Sequence, residues 1–248
     1  MTGGEQMVAE TAMTRRKLAG IAVTAALAAA GLTDAQGAQA LAAGDEQAYQ
    51  GTPGAREALQ LLVEGNQRWS RGKATHPDQS VQRRLQVAGH QDPFATVISC
   101  IDSRVPPEIV FDRGIGDMFT IRTGAQVLDE GVVLGSIEFG PSNYSSARLM
   151  LVLGHQKCGA VAAAIEVIES GGRAPGHIQA VVDALRPAYN VAKPQPGDLA
   201  DNMTRAQTRL TVQKLKQDPP LRDLMTKDGL TIVGGHYDLR SGLVEIIA

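Results

Sequence analysis

The sequence predicts an α/β fold: a mainly parallel four-stranded sheet flanked by helices, with an N-terminal helical arm and a C-terminal edge strand. Three observations carry this reading. Short β-rich apolar runs alternate with longer segments of helical spacing, the order that builds a parallel sheet. One run, Leu149-Met150-Leu151-Val152-Leu153, is apolar throughout, as a central strand covered on both faces requires. Two runs end in residues able to do chemistry, where open α/β sheets place their sites. Ala95-Thr96-Val97-Ile98 leads into Cys100-Ile101-Asp102-Ser103-Arg104, and Leu149 to Leu153 leads into His155-Gln156-Lys157-Cys158.

The 248 residues, 43% of them hydrophobic, fit one domain with a sizeable core plus extra segments. A formal charge of -2 and an aromatic content of 4% give no basis for nucleic-acid binding. Residues 1–40 have the parts of a signal peptide. Thr14-Arg15-Arg16-Lys17-Leu18 precedes an apolar run from Ala19 to Ala30, and Ala38-Gln39-Ala40 offers a small-x-small cleavage site. The run is shorter than the ~20 residues that span a bilayer. The paired arginines resemble the twin-arginine export address, which implies a secreted or cell-envelope protein. A disordered, basic, alanine-rich tail is the alternative, and Met13 offers a second start. No later segment is long and apolar enough to span a membrane, so no stable insertion is expected once the signal is removed.

Residues 41–54 are small, polar and glycine-rich and read as linker; the domain proper covers 55–248. Ala55 to Trp69 carries Leu59, Leu62, Val63 and Asn66 at helical spacing, and Ser80 to Ala88 forms a second short helix ended by Gly89. These two helices make up an arm over 55–88. Phe94 to Ser99 is the first strand. Pro106-Pro107 turns the chain and starts a short helix through Phe111. Met118 to Arg122 is the second strand, followed from Val127 to Phe139 by a mostly apolar, buried helix. Pro141 to Ser146 is a loop, and Leu149 to Leu153 the third strand. Helices are expected over Ala160 to Ile168, Gly176 to Tyr189, Leu199 to Lys216 and Leu221 to Met225. Leu230 to Gly234 is the fourth strand, and Leu243 to Ile247 closes the chain as a hairpin partner.

The chain has two cysteines, and both lie in the strand-end motifs. Cys158 follows His155 by three residues, which at a helix start lets both reach one ion. Cys100 and Asp102 are two apart, on one side of an extended stretch. Two thiolates, an imidazole and a carboxylate make a tetrahedral set whose sulfur favours zinc over magnesium or calcium. From spacing alone, a structural zinc, a core cysteine beside a surface histidine, and a Cys100–Cys158 disulfide remain open.

These residues carry a resemblance. Glu64-Gly65-Asn66-Gln67-Arg68-Trp69, Cys100 to Glu108, Gly116 to Arg122, Gly154 to Val161 and Gly234 to Val244 together resemble the β-class carbonic anhydrases. The resemblance implies a carbonate dehydratase with one zinc per chain, held by Cys100, His155 and Cys158. Asp102 then has two roles: paired with Arg104 it leaves the fourth zinc position to water, and unpaired it binds the metal itself. The implied reaction is attack of zinc-bound hydroxide on CO2 to give bicarbonate, with Asp102 orienting the nucleophile and Arg104 holding Asp102 ionised. Gln91 matches a glutamine that donates to substrate, Phe119 an aromatic lining the pocket, and Gly159 an N–H at a helix start facing an anionic oxygen. The family forms homodimers, often assembled to tetramers, with the pocket at the subunit boundary, so the early helices are expected to exchange between subunits. Three departures stand out, the form of the Pro141 to Ser146 loop among them. Thr123-Gly124-Ala125-Gln126 reverses the usual Ala-Gly order, and Val97 replaces the tryptophan of members with a non-catalytic bicarbonate pocket. The alternatives are hydrolysis of carbonyl sulfide or carbon disulfide on the same site, a non-catalytic zinc-stabilised protein, and an exported disulfide-bonded protein. His76, His90, His177 and His236 could shuttle protons, and none is assigned that role.

Overall fold

The computed structural model describes residues 54–129 and 131–248. The signal peptide read over 1–40 and all but the last residue of the 41–54 linker lie outside the described residues. Helices α1 (Ala55–Ser70) and α2 (Val81–Gln86) precede strand β1 (Ala95–Cys100), and the short helix α3 (Pro107–Val110) leads to β2 (Met118–Thr123). A 3-10 turn, Gly124–Gln126, separates β2 from α4 (Val132–Asn143). Then come β3 (Leu149–His155), α5 (Gly159–Ser170), α6 (Ile178–Ala192), α7 (Leu199–Gln217), α8 (Pro219–Asp228), β4 (Thr231–Tyr237) and β5 (Val244–Ile246).

The strands form one sheet in the order β2-β1-β3-β4-β5. The first four are parallel and β5 runs antiparallel to β4. The chain therefore starts in the middle, moves outward to β2, and returns across β1 to β3. That reversal opens a crevice between the carboxyl ends of β1 and β3. Ser99 pairs with Leu153, so Cys100 and His155 emerge side by side from it.

The period-two alternation of the strands sorts the core into two faces. Val97, Leu149, Leu151 and Leu153 meet Ala58 and Leu62 of α1 and Phe111 after α3. Ile98, Met150, Val152 and Ile232 meet Ile137 of α4, Val212 and Leu215 of α7, and Leu221 of α8. A third cluster, from α5, α6 and α7, packs around Cys100 and Cys158. No helix among the described residues is long and apolar enough to cross a membrane.

Two expectations need correction. The helix expected over Val127 to Phe139 starts later, at Val132, and runs through Pro141 to Asn143. Ala125 and Gln126 take left-handed φ values of 52° and 47°, and Val127 is extended, so the chain cannot enter a helix there. Gly131, at φ 92°, caps the helix that follows. That helix is also not buried throughout, since Val132 is 84% and Phe139 54% exposed. The N-terminal helical region is present as expected, and its first helix, α1, packs on the main body. Ala58 and Leu62 are fully buried in this chain's own core, and within the predicted arm only α2 lacks a buried residue.

Candidate metal centre

Cys100 is the last residue of β1, His155 the last of β3, and Cys158 the N-cap of α5. Lys157 takes a left-handed φ of 50°, which reverses the chain between His155 and Cys158 and turns both toward Cys100. The three donor atoms lie within 4.8 Å of one another and the residues are at most 1% exposed. The two sulfurs are 3.8 Å apart and both cysteines are free, so the disulfide alternative is not formed.

The donor chemistry fits zinc. His155 Nδ1 lies 2.8 Å from the Gln156 carbonyl, which only accepts, so the proton sits on Nδ1 and the Nε2 lone pair is bare. Nε2 is buried and has no hydrogen-bond partner. Leaving such an atom unpaired is costly unless a ligand takes the lone pair. The two thiols are shifted in opposite directions from their ordinary values. The hydrogen bond from Cys158 pulls Cys100 down to about 4 against burial, while that same bond and burial push Cys158 up. Cys100 and Cys158 would both hold a soft divalent ion as thiolates.

Asp102 stands beside this triad without closing it. Its Oδ2 is 4.0 Å from His155 Nε2. Both oxygens face Arg104: Oδ1 accepts from the Arg104 backbone N–H and Nε, each at 2.9 Å, and Oδ2 accepts from Nη2 at 2.7 Å. These bonds hold the carboxyl down at about 2, against partial desolvation. Arg104 also donates to the Lys157 carbonyl at 3.0 Å, so it ties the first motif to the second. Arg122 clamps the loop from below, donating to the Cys100 carbonyl at 2.8 Å and to the Asp102 carbonyl at 2.6 Å. Sequence reading gave Arg122 no role, and its place in strand β2 offered no signal of one.

The remaining residues divide. Gly159 opens α5, and a methyl group added there would meet nothing within 4 Å, so its backbone faces open space next to Cys158. Gln91 and Phe119 lie elsewhere. Phe119 pairs with Thr96 near the start of β2, four residues from the Cys100–Thr123 pair, roughly 13 Å along a strand. Its ring centroid is 5.2 Å from that of Tyr144, whose hydroxyl accepts from Gln91 Nε2 at 3.1 Å. Within one chain, Gln91, Phe119 and Tyr144 therefore form a second cluster beside the sheet edge. Tyr144 escaped the sequence reading because it falls in a stretch read as loop.

Fold and site define an α/β protein with a buried Cys-His-Cys metal centre at the topological switch point and a carboxylate–arginine pair beside it. The carbonic anhydrase family profile matches residues 95–244. "Carbonic anhydrase 2" of Mycobacterium tuberculosis is 37% identical over 186 residues, covering 75% of this chain and 89% of that protein. The carbonic anhydrase of Mycolicibacterium smegmatis is 35% identical over 194 residues, covering 76% and 91%. Among solved structures, the β-carbonic anhydrase CafA of Aspergillus fumigatus matches with a TM-score of 0.59 at 25% identity, covering 76% of this chain and 90% of that one. A tetrameric β-carbonic anhydrase of Sordaria macrospora has the same fold, with a TM-score of 0.61 at 22% identity, covering 77% and 98%. The chain belongs to the β-class carbonic anhydrase family.

Proposed function

We propose that the protein catalyses the reversible hydration of carbon dioxide to bicarbonate and a proton, with one zinc ion per chain held by Cys100, His155 and Cys158. The observation that carries this is Asp102. A purely structural site would use it as the fourth ligand, whereas here both its oxygens are turned to Arg104. Zinc, when bound, supplies Lewis acidity that brings the acidity of a coordinated water near neutral pH. Asp102, kept ionised by Arg104, provides the acceptor that orients the attacking group. The Gly159 N–H, at the α5 N-terminus, suits the anionic oxygen of the product. Two thiolates donate more charge than imidazoles would, so activity is expected to rise with pH.

Gln91 and Phe119 serve the pocket from a second copy of the chain. Their cluster lies beside β2, an edge strand of the sheet and distant from the triad of its own chain. The protein is then a homodimer or an assembly of dimers. We also propose export through the twin-arginine route, on the strength of Arg15-Arg16 ahead of the Ala19 to Ala30 run. Replacing both arginines by lysine should keep the protein in the cytoplasm.

Metal analysis together with 18O exchange between labelled CO2 and water tests the catalytic reading. One zinc per chain and rapid label loss support it. A full complement of zinc without exchange assigns the site a structural role.

A further inference from the structure

The 3-10 turn after β2 does more than end a strand. Thr123 accepts the Ile101 N–H at 3.0 Å, which continues the β1–β2 ladder past Cys100. The chain then turns through two consecutive left-handed residues, Ala125 at φ 52°, ψ 37° and Gln126 at φ 47°. A non-glycine residue is disfavoured there because its Cβ crowds the backbone carbonyl. The turn is nevertheless fixed from several sides. Gln126 Nε2 donates to Thr208 Oγ1 at 3.0 Å, and Thr208 donates to the Thr204 carbonyl, which anchors the turn to α7. Arg122, just before the turn, holds the Cys100 and Asp102 carbonyls. The result of this geometry is one contact: the Ala125 N–H points at the Cys100 sulfur, 3.3 Å away, at a residue 1% exposed.

We propose that the Ala125 backbone N–H is a positioning donor to the Cys100 sulfur, drawing charge from that thiolate and so setting how strongly the centre holds and polarises its metal. The inference rests on the zinc reading above. An N–H···S bond makes a thiolate a poorer electron donor, and outer groups of this kind tune metal sites as the ligands themselves do. It matters here because two thiolates otherwise leave the ion weakly Lewis-acidic. Ala125 touches neither substrate nor metal, so its role is to act through Cys100.

The test begins with the unaltered full chain loaded with 113Cd. A correlation between cadmium and the Ala125 amide proton, carried across the Cys100 sulfur, is the expected result. Next, Ala125 is replaced by lactic acid, which converts the amide to an ester and keeps the methyl group. In the cobalt form, the sulfur-to-cobalt charge-transfer bands should move to lower energy. In the zinc form, the thiolate freed of this bond donates more strongly, so metal loss to a chelator should slow about 10-fold, the scale on which outer partners of a metal ligand act. Ala125→Gly, which keeps the N–H, should leave the bands in place. Absence of the cadmium correlation in a chain that holds one cadmium overturns the proposal, and this arm stands even where the ester fails to fold. Charge-transfer bands unmoved in a folded ester overturn it equally. A chain that binds no cadmium, cobalt or zinc fails earlier, at the metal-centre reading itself.

Discussion

Asp102 and Arg104 form a two-armed pair, Nε to Oδ1 at 2.9 Å and Nη2 to Oδ2 at 2.7 Å, that holds the carboxylate 4.0 Å from His155 Nε2. The guanidinium fork matches both carboxylate oxygens at once, which a lysine cannot do. On the function proposed above, removing Arg104 would free Asp102 to enter the metal's fourth position. Arg104→Ala should therefore keep one zinc per chain and lose on the order of 100-fold in kcat/KM, the effect of a catalytic group displaced by an ångström or more. Arg104→Lys should recover little of it. Paired zinc analysis and CO2 hydration kinetics check this.

The pair also fixes a pH dependence. Arg104 lowers Asp102 to about 2, below the ordinary value of about 3.9. A group depressed in the folded state adds stability above its unfolded value and loses it as pH falls through the folded one. The pair is thus intact at pH 5, and any rise in activity between pH 6 and 9 has another origin than Asp102. Carbon NMR of labelled aspartate should place the Asp102 midpoint below pH 3; a midpoint near 4 would show an unpaired carboxyl.

Asp117 behaves in the opposite sense. Burial, and next in line the charge of Asp78, raise it to about 6, although it accepts from the Gly114 N–H at 3.0 Å and lies 3.5 Å from Arg83. Between its unfolded value near 3.9 and about 6 the native state binds more protons than the unfolded one, so stability falls as pH rises through that window. Asp117→Asn keeps an acceptor for Gly114 and removes the ionisation. Its melting temperature should fall less than that of the parent between pH 5 and 7.

Asn66 joins α1 to the end of the chain. Its amide donates to the carbonyls of Val110 at 3.1 Å and Gly242 at 2.8 Å, and its oxygen accepts from the Val244 N–H at 2.8 Å. Asn66→Ala leaves three backbone groups unpaired and should cost about 3 kcal/mol, at roughly 1 kcal/mol for each bond. Next to it, a methyl group on Gly65 would overlap the Phe111 carbonyl oxygen. Gly65→Ala should be the more damaging change, and urea unfolding midpoints of both variants test the order.

The metal triad was legible because strand ends and residue spacing are local signals. Cys100 and His155 each close an apolar run, and Cys158 opens the next helix. The start of α4 was not, because nothing in the sequence marks Ala125 and Gln126 as left-handed; tertiary bonds to Thr208 and Cys100 hold them there. The reach of Gln91 to Tyr144 spans 53 positions and depends on packing alone. The role of Arg122 was hidden likewise, because its partners are backbone carbonyls and carry no residue type.

Stopped-flow CO2 hydration by the purified protein at pH 7 and pH 8.5, with zinc counted in the same sample, tests the central claim most directly. One zinc per chain and a rate that is measurable at pH 7 and higher at pH 8.5 are expected. A chain that holds its full zinc and hydrates no CO2 at either pH would contradict that claim.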